Sequence, residues 1–178
     1  MTLQLVSTKL SGVLLVEKKL HKDNRGVFSK TFNQDQFRQL GLNGDFEETF
    51  LSVSAKDVLR GMHYQVNPFS HEKIVSVISG TILDVVVCID YKSDEYGHFI
   101  ELEVSSETPY SIYIGKGYAH GFLTTSRNAI VLYQTSCGYN KESDTGIHHR
   151  SFNYTWPSNN LIVSDRDKAL APLGSHQW

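Results

Sequence analysis

The sequence predicts an antiparallel β-sandwich or barrel with a small amount of helix. Two observations predict it. Glycines fall singly along most of the chain, and between them lie short runs rich in Val, Ile, Thr, Tyr and Phe. That is the pattern of short strands broken by turns. The second observation is compositional: 178 residues that are 40% hydrophobic and 20% charged fit one domain with a packed core. No fixed-period repeat or low-complexity tract interrupts this picture. The domain is taken as residues 1–178, with a C-terminal extension from about residue 158.

Taken in chain order, the first clear element is a helix over residues 34–40. Asn33 is its candidate N-cap, Phe37 and Leu40 form an i,i+3 apolar pair, and Gly41 follows. Residues 58–65 are strand-like, yet carry Arg60 and His63. Residues 73–78 and 81–89 are apolar on both faces, with Ser79 and Gly80 between them as a hairpin turn. Two-sided apolar strands fit a sandwich interior or a dimer interface. Residues 98–104 show the cleanest alternation: Ile100, Leu102 and Val104 on one face, Glu101 and Glu103 on the other. Gly115 and Gly117 mark a tight turn that places His120 at the start of the next strand, at a pocket rim; a plain hairpin with an exposed histidine is the simpler alternative. Residues 129–135 form another strand, and the tail holds a short helix near 165–170. A barrel of this size encloses one small ligand.

Composition also excludes functions. Lys and Arg total 17 and Asp and Glu 19, a net charge of −2. Such a chain has no global pull on nucleic acid or a membrane surface, so an anionic ligand requires a local cationic pocket. The longest apolar runs, such as residues 85–89, are too short to span a bilayer, and residues 1–6 show no secretory signal. Cys88 and Cys137 match neither a disulfide framework nor a CxxC site, which indicates a reducing, cytoplasmic compartment.

Charged residues inside strands face either water or a ligand, because burying an unpaired charge is costly. Arg60, His63, Lys73 and Tyr133 are therefore candidates for a ligand pocket, against the alternative that Arg60 and Lys73 face solvent and His63 is an ordinary hydrogen-bonded histidine. Metal binding by His63, His71, Glu72 and His120 is disfavoured. There is no HxH or HxxxH pair, and Gln65 stands where a borderline metal prefers imidazole.

Five segments occur in order: DNRGVF at 23–28, LRGMHYQ at 59–65, KIV at 73–75, GYAHGF at 117–122 and SDRD at 164–167. Together they resemble the dTDP-4-dehydrorhamnose 3,5-epimerase family, over residues 10–173. The resemblance implies a cupin-type jelly roll, a homodimer, and neither metal nor cofactor. It implies a nucleoside-diphosphate 4-keto-6-deoxy sugar as substrate, epimerised at C3 and/or C5 through an enolate. By resemblance His63 is the base, Asp167 its carboxylate partner, Lys73 the enolate-stabilising cation and Tyr133 the acid on the far face. Arg25 and Arg60 match phosphate contacts, Tyr139 an aromatic stacked on the nucleobase, and His120 a sugar contact. Asp144 and Arg166 stand where the family usually has Glu and Lys.

The chain departs from the family at Lys30 (commonly Glu), Glu48 (Gln) and Phe50 (Asn), all in the nucleotide-binding region. A carboxylate only accepts hydrogen bonds, so Glu48 would favour a donor-rich base edge such as guanine or cytosine. The alternative is a Glu48–Lys30 pair across neighbouring strands, touching no ligand. Two other functions stay open at this level: a single-centre epimerase acting on a GDP- or CDP-linked sugar, and a non-catalytic nucleotide-sugar-binding cupin.

Overall fold

The computed structural model describes residues 3–175. Residues 1–2 and 176–178 of the expected domain lie outside the described residues. The strands are β1 (Gln4–Ser7), β2 (Val13–Glu17), β3 (His21–Asp23), β4 (Gly26–Phe28), β5 (Glu48–Ala55), β6 (Val58–Gln65) and β7 (Lys73–Ser79). They continue with β8 (Thr81–Cys88), β9 (Phe99–Ser105), β10 (Tyr110–Ile114), β11 (Tyr118–Thr124), β12 (Asn128–Thr135), β13 (Asp144–Gly146) and β14 (Ile162–Val163). Two short helices complete the list, α1 (Gln34–Gln39) and α2 (Asp165–Lys168). No helix among the described residues is long and apolar enough to cross a membrane.

The strands form two facing sheets, ordered β1-β2-β10-β7-β12-β5 and β13-β6-β11-β8-β9, with β14 added parallel to β6 and β3–β4 a separate hairpin. From β5 to β8 and again from β9 to β13 the chain passes from one sheet to the other with each strand. This is the jelly-roll arrangement the resemblance implies.

That alternation corrects two turn assignments. Ser79 and Gly80 do not close a hairpin: β7 pairs with β10 and β12, whereas β8 pairs with β9 and β11. Gly80 (φ +80°) is a corner between sheets, and a Cβ there would lie 2.1 Å from the Asn128 carbonyl oxygen. The Gly115–Gly117 turn likewise joins β10 of one sheet to β11 of the other. His120 is therefore mid-strand and buried, neither at a rim nor on an exposed hairpin.

Three apolar clusters account for the sequence pattern. Between the sheets lie Val75, Val77, Ile82, Val86, Ile112 and Phe122, among others. The opposite face of β8 (Leu83, Val85, Val87) is covered by the chain's own later residues, including Ile147, Phe152 and Trp156. The two-sided apolar character of β8 therefore reflects this tail. Phe37 from α1 seals Ile74 and Tyr113 on the outside of the first sheet; fully burying a side chain of that size contributes about 2–3 kcal/mol. The α1 cap is as anticipated, with Asn33 accepting from the Gln36 amide at 3.1 Å. α2 is shorter than its predicted span, and Ser164 caps it by accepting the Asp167 amide at 3.1 Å.

Candidate active site

The site lies between the sheets, where polar side chains from both interrupt the apolar interior. His63 projects from β6. Its Nε2 lies 2.8 Å from Asp167 Oδ1. The second oxygen, Asp167 Oδ2, accepts the Gly61 amide at 3.1 Å. Because a carboxylate only accepts, Nε2 carries the proton of this contact, and in the neutral imidazole the lone pair is then on Nδ1. Burial opposes ionisation of Asp167. The His63 hydrogen bond and charge, with the Gly61 amide and the Ser164 hydroxyl, outweigh that and hold the carboxyl below its ordinary range. The capped α2 is thus the device that brings Asp167 to a histidine 104 positions earlier.

Directly opposite His63 in the β6–β11 register stands His120. It has its own carboxylate: Nε2 is 2.7 Å from Asp84 Oδ2. Asp84 is fully buried, and its Oδ1 has no hydrogen-bond partner. Sequence reasoning missed Asp84, although a lone carboxylate in the middle of the apolar run Thr81–Cys88 is a visible signal.

Lys73 faces the interior, which settles the solvent-face alternative against it: the residue is buried and its Nζ donates to the His63 carbonyl at 3.3 Å. Burial brings its ammonium down to about 8, while the Asp84 and Asp144 charges oppose a further fall. It remains mostly charged at neutral pH. Tyr133, on β12 of the opposite sheet from His63, is also buried, and burial pushes its phenol well above the ordinary range. Its hydroxyl lies 3.3 Å from Ser52 Oγ.

These groups line two adjoining chambers of one cleft. The inner chamber, about 310 Å³, is walled by Ser52, Arg60, His120 and Tyr133. The outer, about 290 Å³, is walled by Glu48, Tyr139, Asp144 and Arg166. Phe50, His63, His71, Lys73 and Thr135 line both. Arg60 is exposed and docked along β5, its Nε donating to Ser54 Oγ at 2.9 Å. At the outer end Arg166 pairs with Asp144 at 2.7 Å, and Tyr139 stands 64% exposed as a free aromatic face. Gln65, not singled out as a site residue, fixes this end. It accepts from the Asn140 amide at 2.7 Å and donates to the Gly138 and Phe69 carbonyls. His71, raised before only as a metal ligand, is held neutral: burial first, then the Lys73 charge, bring it down to about 4. Among the described residues no three His, Cys, Asp or Glu side chains converge as a metal cluster.

Two expected positions fall elsewhere. Arg25 sits on the β3–β4 hairpin in a separate depression, paired with Asp23 at 2.6 Å. Lys30, in the loop after β4, lines neither chamber. The Glu48–Lys30 pair does not form, because Lys30 is not on a strand beside β5. Glu48 instead accepts the Tyr139 amide at 2.8 Å and so shapes the loop that presents that aromatic. Phe50 stacks on Tyr133.

Comparison with known proteins agrees with this geometry. The sequence pattern of the dTDP-4-dehydrorhamnose 3,5-epimerase family matches residues 7–175. A dTDP-4-dehydrorhamnose 3,5-epimerase from Shigella flexneri is 35% identical over 168 residues, 93% of each chain. The structure of a Legionella pneumophila dTDP-6-deoxy-D-glucose-3,5-epimerase in complex with dTDP-4-keto-L-rhamnose superposes with a TM-score of 0.92 at 31% identity, covering 96% of this chain and 93% of that one. A 3′-monoepimerase from Streptomyces bikiniensis, in complex with dTDP-quinovose, superposes with a TM-score of 0.88 at 26% identity, covering 93% and 86%. The chain belongs to the dTDP-4-dehydrorhamnose 3,5-epimerase family.

Proposed function

We propose a division of labour for this family member, an isomerase that epimerises a dTDP-linked 4-keto-6-deoxy sugar at C3 and/or C5. The C4 ketone acidifies the protons on its neighbouring carbons. His63, with the free lone pair on Nδ1, takes one of them, and Asp167 stabilises the imidazolium that results. The Lys73 ammonium faces the negative charge that develops on the C4 oxygen. Tyr133, from the opposing sheet, returns a proton to the other face of the enolate. One proton leaves and one arrives, so the reaction is balanced without a change of oxidation state. The observation that carries this reading is the 2.8 Å His63–Asp167 contact inside a cleft that also holds a buried lysine.

In the outer chamber Tyr139 stacks on the thymine, with Asp144 and Arg166 as further contacts, and Arg60 reaches the diphosphate from the wall of the inner chamber. Guanidinium suits bidentate phosphate recognition. Arg25 serves the diphosphate only from a second copy of the chain. The homodimer is supported by the β3–β4 hairpin, whose Val27 and Phe28 are 60% and 58% exposed, and by Leu51 and Val53, each 60% exposed on edge strand β5. Lys30 follows the same hairpin. The single domain spans the whole chain: the tail that forms the proposed extension packs on β6 and delivers Asp167. A cytoplasmic location is supported by two free cysteines.

The test is solvent deuterium wash-in at C3 and C5. His63→Ala is expected to reduce exchange by about 10²–10⁴-fold, the worth of a general base, with dTDP binding retained. Exchange near the wild-type rate would remove His63 from the mechanism. Wild-type exchange confined to C3 would establish the single-centre reaction of the Streptomyces bikiniensis relative.

A further inference from the structure

The ring of Tyr133 is held more tightly than its role as an acid requires. Phe50 lies directly across from it in the β5–β12 register. Their ring centroids are 4.8 Å apart and the planes 14° from parallel, a stacked pair. On another side the His120 ring approaches edge-on, 6.3 Å away at 66°. The hydroxyl end is tethered by Ser52, which lies on the same strand as Phe50. A tyrosine χ2 torsion is soft by itself; a stack, an edge contact and a hydrogen bond together leave one orientation. Phe50 lies on edge strand β5 and is 45% exposed. Its ring lines both chambers and lies against one face of the Tyr133 ring.

We propose that Phe50 is a positioning residue for Tyr133, holding the phenol at the angle from which it protonates the enolate, and that it is not a nucleotide contact. This rests on the reading of Tyr133 as the far-face acid and deepens it. If Phe50 sets that geometry, its loss leaves proton removal by His63 untouched and slows only the return of the proton to the opposite face. Exchange and inversion then separate. A residue that merely supports the fold would slow both together, and a nucleotide contact would raise KM and leave their ratio alone.

The experiment follows dTDP-4-keto-6-deoxyglucose in D2O by proton NMR, scoring deuterium entry and inversion separately. The proteins are the wild type, Phe50→Leu, Phe50→Tyr and Tyr133→Phe, each checked by thermal melting. Phe50→Leu keeps apolar bulk without the stack. It is expected to exchange at the wild-type rate with unchanged KM, and to invert about tenfold more slowly, the scale of one aromatic pair. Phe50→Tyr restores the ring and is expected to restore inversion. An unchanged ratio of exchange to inversion in Phe50→Leu, or a rise in KM alone, overturns the proposal. Tyr133→Phe separates the two levels. If it leaves exchange and inversion coupled, the reading of Tyr133 itself fails; if it uncouples them and Phe50→Leu does not, only the role of Phe50 fails.

Discussion

Replacing Lys73 by methionine should make the protein more stable and nearly inactive. An ordinary lysine titrates near 10.5, and burial brings Lys73 to about 8. That gap of roughly 2.5 pH units, at about 1.4 kcal/mol each, means the fold disfavours the charged ammonium by about 3 kcal/mol at neutral pH. The sign follows from proton counts. Between pH 8 and 10.5 the unfolded chain holds the lysine proton and the folded chain does not. Wild-type stability therefore rises with pH across that window; the penalty is complete below it and gone above it. Methionine has similar length and no charge. It also removes the hydrogen bond to the His63 carbonyl, worth about 1 kcal/mol. The net gain at pH 7 is about 2 kcal/mol, or about 4–8 °C in Tm for a chain of this size. Thermal melts of both proteins at pH 7 and near pH 10 measure it, and the difference should shrink toward the higher pH. Groups that do not interact with Lys73 titrate alike in both proteins and cancel. Activity should fall by about 10²–10³-fold, the cost of removing one preorganised partner of a developing oxyanion. A Lys73→Met protein less stable than wild type at pH 7, or a Tm difference that ignores pH, would show that the ammonium is well compensated and the argument wrong.

Asp167→Asn should slow deuterium exchange by at least about 10²-fold with little change in dTDP affinity, because an amide cannot stabilise the imidazolium; isothermal titration and wash-in kinetics measure the two quantities separately. Arg25→Ala and His63→Ala should each be impaired alone, and mixing them after a cycle of mild dissociation should regain activity if one chain's hairpin completes another's cleft. A mixture no more active than its components would place Arg25 outside the site.

Much of the fold was legible because strands and helices carry their own periodicity. The alternation at 98–104 became β9 with Glu101 and Glu103 exposed, and Asn33 capped α1 as its position indicates. What local pattern did not carry was partner choice. Ser79 and Gly80 announce a reversal, but the same turn chemistry serves a hairpin or a corner between sheets. Only the apolar second face of β8, which needs a cover, distinguishes them. Strands β1 to β4 are three to five residues long. That is too short for a period-2 signal to stand out.

The site was legible in its residue types and not in its pairings. Asp167 lies in a short capped helix with nothing local to tie it to His63, and only the resemblance connected them. Asp84 needed no resemblance: a carboxylate enclosed by Ile82, Leu83, Val85 and Val86 has no stabilising reason to be there. Its Oδ1 is unpaired, and Lys73 is held against its own ionisation a short way across the same core. Each of these groups, taken alone, weakens the barrel. Together they place two imidazole–carboxylate pairs and one ammonium around one cleft, with Lys73, Asp84, His120 and Asp167 all buried. There a charge appearing on a substrate oxygen is felt far more strongly than in bulk solvent. The same low dielectric that makes Lys73 costly to bury makes its ammonium effective on an enolate. A more stable version of this core should therefore be a poorer enzyme.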